Sequence, residues 1–301
     1  MKHSNSIVFA LTAACAFATS SYATDTILVN DIWADGNRTS TSPGGDSAWF
    51  SSVGADLTVP AAGDMRAAVP ANSLSETTYF TSKTLANTGD ELKFTWTFTP
   101  NGTLTANTSQ AFNLAVVNGA THLSADGASP ASQVYAGYAM FMNMAATLGN
   151  SNPYALKEWI LGATAGNLLS SSGNWGANGV SGTLVNGATS GNTGYAIGTP
   201  YTLVMTLTRN ASSGLDIVTT TTGGSLNGTG SATDTYTDTS PNTFTYDTFA
   251  LRQTGSPSGA SQIDTSHFEV EFLTVDVPEP GTLTLAGLGL IGLVFARRMR
   301  Q

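Results

Sequence analysis

Leu92-Lys93-Phe94-Thr95-Trp96-Thr97-Phe98-Thr99 sets apolar and polar side chains in strict alternation, the two-residue period of a strand with one face in a core and the other in water. Pro100, which has no N–H to donate to a ladder, and the Asn101-Gly102 pair then close the run. The same period returns where Tyr201, Leu203, Met205 and Leu207 alternate with Thr202, Val204, Thr206 and Thr208. There the loop Asn210-Ala211-Ser212-Ser213-Gly214 predicts a hairpin into a second strand from Leu215 to Thr221. Working outward, further strands are expected at 26–33, 76–84, 111–118, 134–144, 154–161, 245–252 and 266–275. Between the two ends of the chain, no helical period is sustained over the roughly ten to twelve residues a confident helix needs. Short, regularly spaced strands separated by Gly and Asn turns predict an all-β fold, an antiparallel two-sheet sandwich of the jelly-roll kind.

The composition narrows the class further. The chain has 301 residues, 41% hydrophobic and 10% charged, with 32 Gly and one Cys. That excludes a disulfide scaffold, a multi-span membrane protein and a charge-driven disordered chain. Residues 24–277 carry seven Lys+Arg (Arg38, Arg66, Lys83, Lys93, Lys157, Arg209, Arg252) against nineteen Asp+Glu, a net charge of −12. A field of that sign repels a polyanion approaching from solution, so nucleic acid is not an expected partner. No charge block or Pro-rich linker divides 24–275, which is expected to form one sandwich domain. The alternative is two smaller sandwiches joined through the Gly/Ser/Asn-rich stretch Asn167 to Gly198; in the one-domain reading that stretch is long loops and short strands laid over one face.

The two ends have the form of targeting segments. Residues 1–23 place Lys2 before an apolar run from Ile7 to Phe17 and end in Ser21-Tyr22-Ala23, the pattern of a secretory signal peptide cleaved after Ala23 by signal peptidase. The single cysteine, Cys15, lies inside that run, so the exported chain is expected to have no thiol for a disulfide, a nucleophile or a metal. At the other end Pro278-Glu279-Pro280 precedes the uncharged run 281–296 and the cluster Arg297-Arg298-Met299-Arg300-Gln301. Sixteen helical residues span roughly 24 Å, slightly short of a hydrocarbon core, a gap that thinning or snorkelling arginines can cover. The positive-inside rule leaves the arginines cytoplasmic and the rest of the chain across the membrane. Read physically, this is a C-terminal transmembrane anchor behind a stiff linker.

A proline-flanked Glu, a Gly/Leu-rich helix and a terminal basic cluster, in that order, resemble the PEP-CTERM sorting signal of Gram-negative bacteria. The resemblance covers 276–301. It implies that an exosortase-type membrane protease recognises Pro278, Glu279 and Pro280 and uses Arg297, Arg298 and Arg300 as stop-transfer charges. The protein would then pass from transient inner-membrane anchorage to the cell surface or extracellular polysaccharide matrix. Two prolines also keep the segment extended, as a protease substrate must be. A second resemblance, to the concanavalin A/laminin-G-like jelly roll, rests on Ile32-Trp33-Ala34-Asp35-Gly36-Asn37-Arg38, Ser47-Ala48-Trp49-Phe50, Gly137-Tyr138, the Tyr201–Ile217 hairpin and Phe249-Ala250-Leu251-Arg252. It implies a fold more than an activity.

Candidate chemistry is sparse. Glu269 and Glu271 share one strand face, the arrangement of a two-carboxylate glycosidase, yet Phe268, Val270 and Phe272 hold the buried register and leave the glutamates facing solvent. The strand also lacks the third acid of the Glu-x-Asp-x-x-Glu motif of concanavalin-like glycoside hydrolases. His122 and His267 stand in no metal or triad motif, and no Gly-x-Ser-x-Gly elbow occurs. Oxygen donors for calcium gather at Asp31, Asp35 and Asn37, with Asp46 and Asp126 in other Gly-rich loops; laminin-G-like sandwiches often hold calcium at such a rim, and Asx turns are the competing reading. Of Trp33, Trp49, Trp96, Trp159 and Trp175, Trp96 fits a core face by alternation, whereas Trp175, in Ser172-Gly173-Asn174-Trp175-Gly176, has no such register, which makes it the expected exposed platform for a sugar ring. Five Asn-x-Ser/Thr sequons follow from the Thr-rich composition alone. The sequence therefore predicts no catalytic residue and no required cofactor, calcium being the alternative. The expected function is a non-enzymatic exported surface or matrix protein, with extracellular polysaccharide as its expected ligand. A carbohydrate-active enzyme (glycosidase or lyase) on the same fold, or a protein-binding adhesin, is the alternative.

Overall fold

The computed structural model describes residues 22–276 apart from 40, 42–44, 70–72, 178 and 256. The apolar run of the expected signal peptide, the Pro278-Glu279-Pro280 motif, the expected helix 281–296 and the terminal arginines lie outside the described residues. Residues Thr24–Thr274 form one compact unit. Among the described residues no helix is long and apolar enough to cross a membrane.

The described chain is almost all strand: β1 (Tyr22–Asp31), β2 (Trp49–Ser51), β3 (Leu57–Ala61), β4 (Asp64–Ala68), β5 (Ser73–Thr84), β6 (Glu91–Asn101), β7 (Phe112–Asn118), β8 (Ala136–Met142), β9 (Tyr154–Trp159), β10 (Trp175–Ala177), β11 (Val180–Ser181), β12 (Val185–Asn186), β13 (Tyr201–Arg209), β14 (Leu215–Thr222), β15 (Ser231–Asp238), β16 (Thr245–Thr254) and β17 (Gln262–Asp276). They build two sheets. The first runs β15-β14-β13-β6-β17-β4-β3 with β1 on β17, and the second runs β11-β10-β9-β8-β7-β16-β5-β2 with β12 on β9. Neighbours along both orders are antiparallel.

The alternating stretch that predicts the fold is β6, at the centre of the first sheet between β13 and β17. Leu92, Phe94, Trp96 and Phe98 are buried while their Lys and Thr neighbours are half-buried on the opposite face. The buried row meets the second sheet through aromatic contacts, Phe94 stacking on Phe249 at 5.9 Å and Phe98 on Phe112 at 5.1 Å between ring centroids. The hairpin loop forms as expected: Asn210 accepts from the backbone N–H groups of Ser212 and Gly214 through its side-chain oxygen, an Asx turn that closes β13 onto β14.

β15 is absent from the expected strands, and its register explains why. Its inward positions are Ala232, Asp234, the half-buried Tyr236 and Asp238, two of them acids, so its apolar signal is weak and it depends on pairing with β14 across eight residues. β3 and β4 are short and were likewise not expected. The stretch 167–198 does hold only the short strands β10, β11 and β12.

A polar, cation-bearing pocket on the outer face of the second sheet

β7, β8 and β9 are buried on both faces, which is unusual for an antiparallel sheet. One face joins the inter-sheet core. The other carries a patch of small side chains, Ala115, Ala139, Ala155 and Ala250, in a second apolar cluster with Leu168, Leu169, Trp159 and Trp175. The segment 161–175 crosses this face as a strap. Asn167 exchanges hydrogen bonds with Ser75 on β5, Trp159 Nε1 donates to the carbonyl of Ala163, and Ile160 N–H donates to the carbonyl of Asn174. Alanine on the sheet leaves the depth that the strap's leucines and Trp175 fill.

Beside the strap, a cavity of about 270 Å³ opens over one cross-strand row. The register places Arg252 of β16 next to Asn113 of β7, and Asn113 next to Phe141 of β8. Ser170 and Ser172 of the strap and Gln110 complete the polar lining, and Leu169 closes it on the apolar side. The Asn113 NH₂ is satisfied by the carbonyls of Gln110 and Phe112, at 3.2 and 3.1 Å. Gln110 Nε2 donates to the carbonyl of Asn152.

Two cations flank this row without a carboxylate. Lys157 of β9 is only 7% exposed and lays its ammonium 4.6 Å from the centre of the Phe141 ring. Burial lowers its pKa, as it lowers that of Arg252. Arg252 Nε is buried with no hydrogen-bond partner among the described residues. In contrast Arg38, Arg66 and Lys93 each pair with an acid, Asp126, Asp264 and Glu271 respectively. Adjacent strands lie ~4.8 Å apart, and Arg252 on β16 stands three strands from Lys157 on β9, so their backbones are on the order of 14 Å apart across the sheet.

The expected platform at Trp175 requires correction. Its ring is 0% exposed, its Nε1 donates to the carbonyl of Leu168, and it packs edge-on against Trp159 at 5.0 Å. The local sequence lacks a strand period, but β10 pairs Trp175 directly with Trp159 and turns the ring into the second apolar cluster. Trp33, Trp49, Trp96 and Trp159 are buried as well.

The expected calcium donors Asp31 and Asp35, with Asp46, are near enough for the last two to raise the pKa of Asp31, but their oxygens are engaged locally. Asp31 is buried and spends its oxygens on the backbone N–H groups of Trp33 and Ser47. Burial is the main cause of its raised pKa, about 6. Asp35 accepts from Asn37 N–H and Asn37 from Thr39, both as Asx turns. No group of three or more His, Cys, Asp or Glu residues suited to a metal occurs among the described residues, so these three residues do not fit an ion as they stand.

Glu269 and Glu271 face outward on β17, as their register predicts. Glu271 is paired with Lys93, and Glu269 lies 4.0 Å from His267. His122 stacks on Tyr79 at 4.1 Å and lies 3.4 Å from Asp247.

The perturbed carboxyls are elsewhere. Burial raises Glu76 and Asp234 to about 8 and Glu158 to about 7. Glu158 accepts from Asn242 N–H and feels Asp238, which in turn accepts from the Tyr138 hydroxyl at 2.6 Å. The signal for Glu76 was present in the sequence, because it shares the inward register of β5 with Leu74, Thr78 and Phe80.

Among solved structures the chain is similar to several sandwiches of the legume-lectin, concanavalin-like jelly-roll kind. Peanut lectin, in complex with a 9mer peptide, is 10% identical with a TM-score of 0.42, over 86% of this chain and 100% of that one. The exoplasmic/lumenal domain of VIP36 in its Ca²⁺/Man2-bound form is 13% identical with a TM-score of 0.48, over 84% and 90%. The alginate lyase Aly36B is 10% identical with a TM-score of 0.42, over 81% and 95%. No curated protein matches the sequence. Residues 276–301 match the PEP-CTERM protein-sorting motif, and the chain therefore carries that sorting signal behind its sandwich.

Proposed function

We propose that this is an exported surface or extracellular-matrix protein, handled by signal peptidase at Ala23 and by an exosortase-type membrane protease at its C-terminal signal. Its sandwich binds polysaccharide without cleaving it. The sorting motif at 276–301 supports the export half of this reading. The observation that carries the binding half is the pocket over Arg252, Asn113 and Phe141, lined by amides, hydroxyls and a guanidinium. That is a donor set for holding sugar hydroxyls, whereas hydrolysis of a glycosidic bond calls for two carboxyl groups across the scissile bond. Domain limits of 24–275 for the sandwich and 276–301 for the signal belong to the same proposal. Mass spectrometry of matrix-associated protein from the native host tests the first half: intact 278–301 would overturn it. A glycan array probed with and without calcium tests the second, and absence of binding to any polymer would overturn it.

A carbohydrate-active enzyme is the second reading. It is favoured by Glu158, whose carboxyl is raised to about 7 beside Asp238. Release of reducing or unsaturated ends that disappears in Glu158→Gln would establish it; an inert wild-type protein would remove it.

A further inference from the structure

The −12 charge of residues 24–277 makes any unpaired, half-buried cation conspicuous. Taking a charge out of water costs several kcal/mol unless an opposite charge or hydrogen bonds compensate it. Lys157 and Arg252 are both desolvated, and among the described residues neither is in an ion pair and the buried Arg252 Nε has no hydrogen-bond partner. Lys157 has only the face of Phe141 for compensation. Ninety-five residues separate the two in sequence, yet the strand order brings both to one face of one sheet, Arg252 lining the polar cavity and Lys157 lying against the Phe141 ring that lines it.

Resting on the polysaccharide-binding reading, we propose that this pocket selects an anionic polysaccharide, with Arg252 receiving a carboxylate or sulfate group, Lys157 adding positive potential from behind the Phe141 ring, and Gln110, Ser170 and Ser172 holding neighbouring hydroxyls. A guanidinium offers a planar fork that matches either oxyanion, and an ammonium acts as a point charge beside it. A charge-assisted hydrogen bond in so dry a site is worth tenfold or more in affinity, by roughly 1.5–3 kcal/mol. The net negative field of the domain opposes the approach of a polyanion, so the discrimination comes from these two groups alone and resides in the bound state rather than in encounter. The same arrangement carries a stability cost that a ligand offsets.

The test uses full-length protein in uncharged detergent and three probes: polygalacturonate, dextran sulfate and neutral dextran. Wild-type protein is expected to bind at least one of the charged polymers at least tenfold more tightly than dextran, and the comparison of the two assigns carboxylate or sulfate. Arg252→Gln is expected to lose about tenfold in affinity for the charged polymer and Lys157→Met a smaller factor, both leaving neutral dextran unaffected, while Lys83→Gln, outside the pocket, changes neither. Without ligand, Lys157→Met is expected to keep or raise the thermal midpoint, which a merely structural lysine would not do. Equal affinity for charged and neutral polymers, or equal losses in Lys83→Gln, would overturn the anionic assignment and leave polysaccharide binding intact. No binding to any of the three, together with an empty glycan array, would overturn both.

Discussion

Glu76 and Asp234 give the sandwich an inverted pH dependence. Each is only 1% exposed. Glu76 points into the inter-sheet core, where Gln253 Nε2 donates to it. Asp234 has both carboxyl oxygens without a side-chain hydrogen-bond partner, next to Thr219 of β14 in the cross-strand register. Burial is the main cause in both cases and raises each pKa to about 8; the Gln253 bond and the Arg38 charge oppose it at Glu76, and the Gly187 N–H opposes it at Asp234. In the unfolded chain both ionise near their ordinary values of about 4. Their stabilisation is therefore complete below about pH 4 and is lost as pH rises toward 8, because the unfolded chain releases a proton that the folded one retains. One such group lowers the unfolding free energy by about 1.4 kcal/mol per pH unit, so the pair accounts for a loss of about 5 kcal/mol between pH 5 and pH 7. That is a large part of the ~5–15 kcal/mol of a whole domain. Denaturant unfolding from pH 4.5 to 8, read as extrapolated free energy, should fall steadily for the wild type. It should lose about a third of its slope in Glu76→Gln or Asp234→Asn and somewhat over half in the double variant, Glu158 and Asp31, whose pKa values burial also raises, carrying the remainder. A stability that is flat or rises from pH 5 to 8, or a double variant that keeps the wild-type slope, would refute the reasoning.

Three further outcomes follow from the packing. Trp175→Ala removes a fully buried indole from the second apolar cluster and should cost ~3–5 kcal/mol in denaturant unfolding; a loss under 1 kcal/mol would contradict its place there. Gly137→Ala should destabilise by ~2 kcal/mol or more by the same measurement, because Gly137 has φ +137° and an added Cβ would lie 2.3 Å from the carbonyl oxygen of Val116. Glu269→Gln and Glu271→Gln, on the outer face of β17, should each shift stability by less than ~1 kcal/mol and leave polysaccharide binding unchanged in the same titrations.

The sheet faces were legible wherever the two-residue period was clean. In β6 and β13 it names the buried side chains one by one, because a strand's geometry turns successive residues to opposite sides whatever lies beyond them. The same rule would have exposed Glu76 as a buried acid. β15 defeated it, since Asp234 and Asp238 occupy the inward places where apolar residues are expected. The candidate site was not legible at all: neither Arg252 nor Lys157 stands in a motif, and each reads as an ordinary strand cation.

From the sequence alone come the strands, their buried faces on β6, β13 and β17, the solvent-facing place of Glu269 and Glu271, and the sorting signal at 276–301, since each is written in residues near one another along the chain. Only the tertiary structure decided that β7, β8 and β9 have a second covered face, that Trp175 is inside rather than outside, and that Arg252 and Lys157 stand on the same outer face of the sheet, on either side of Phe141. Local periodicity states which way a side chain points from its own backbone. What it meets there depends on the order in which distant strands hydrogen-bond, and on a strap with no period of its own settling over a patch of alanines.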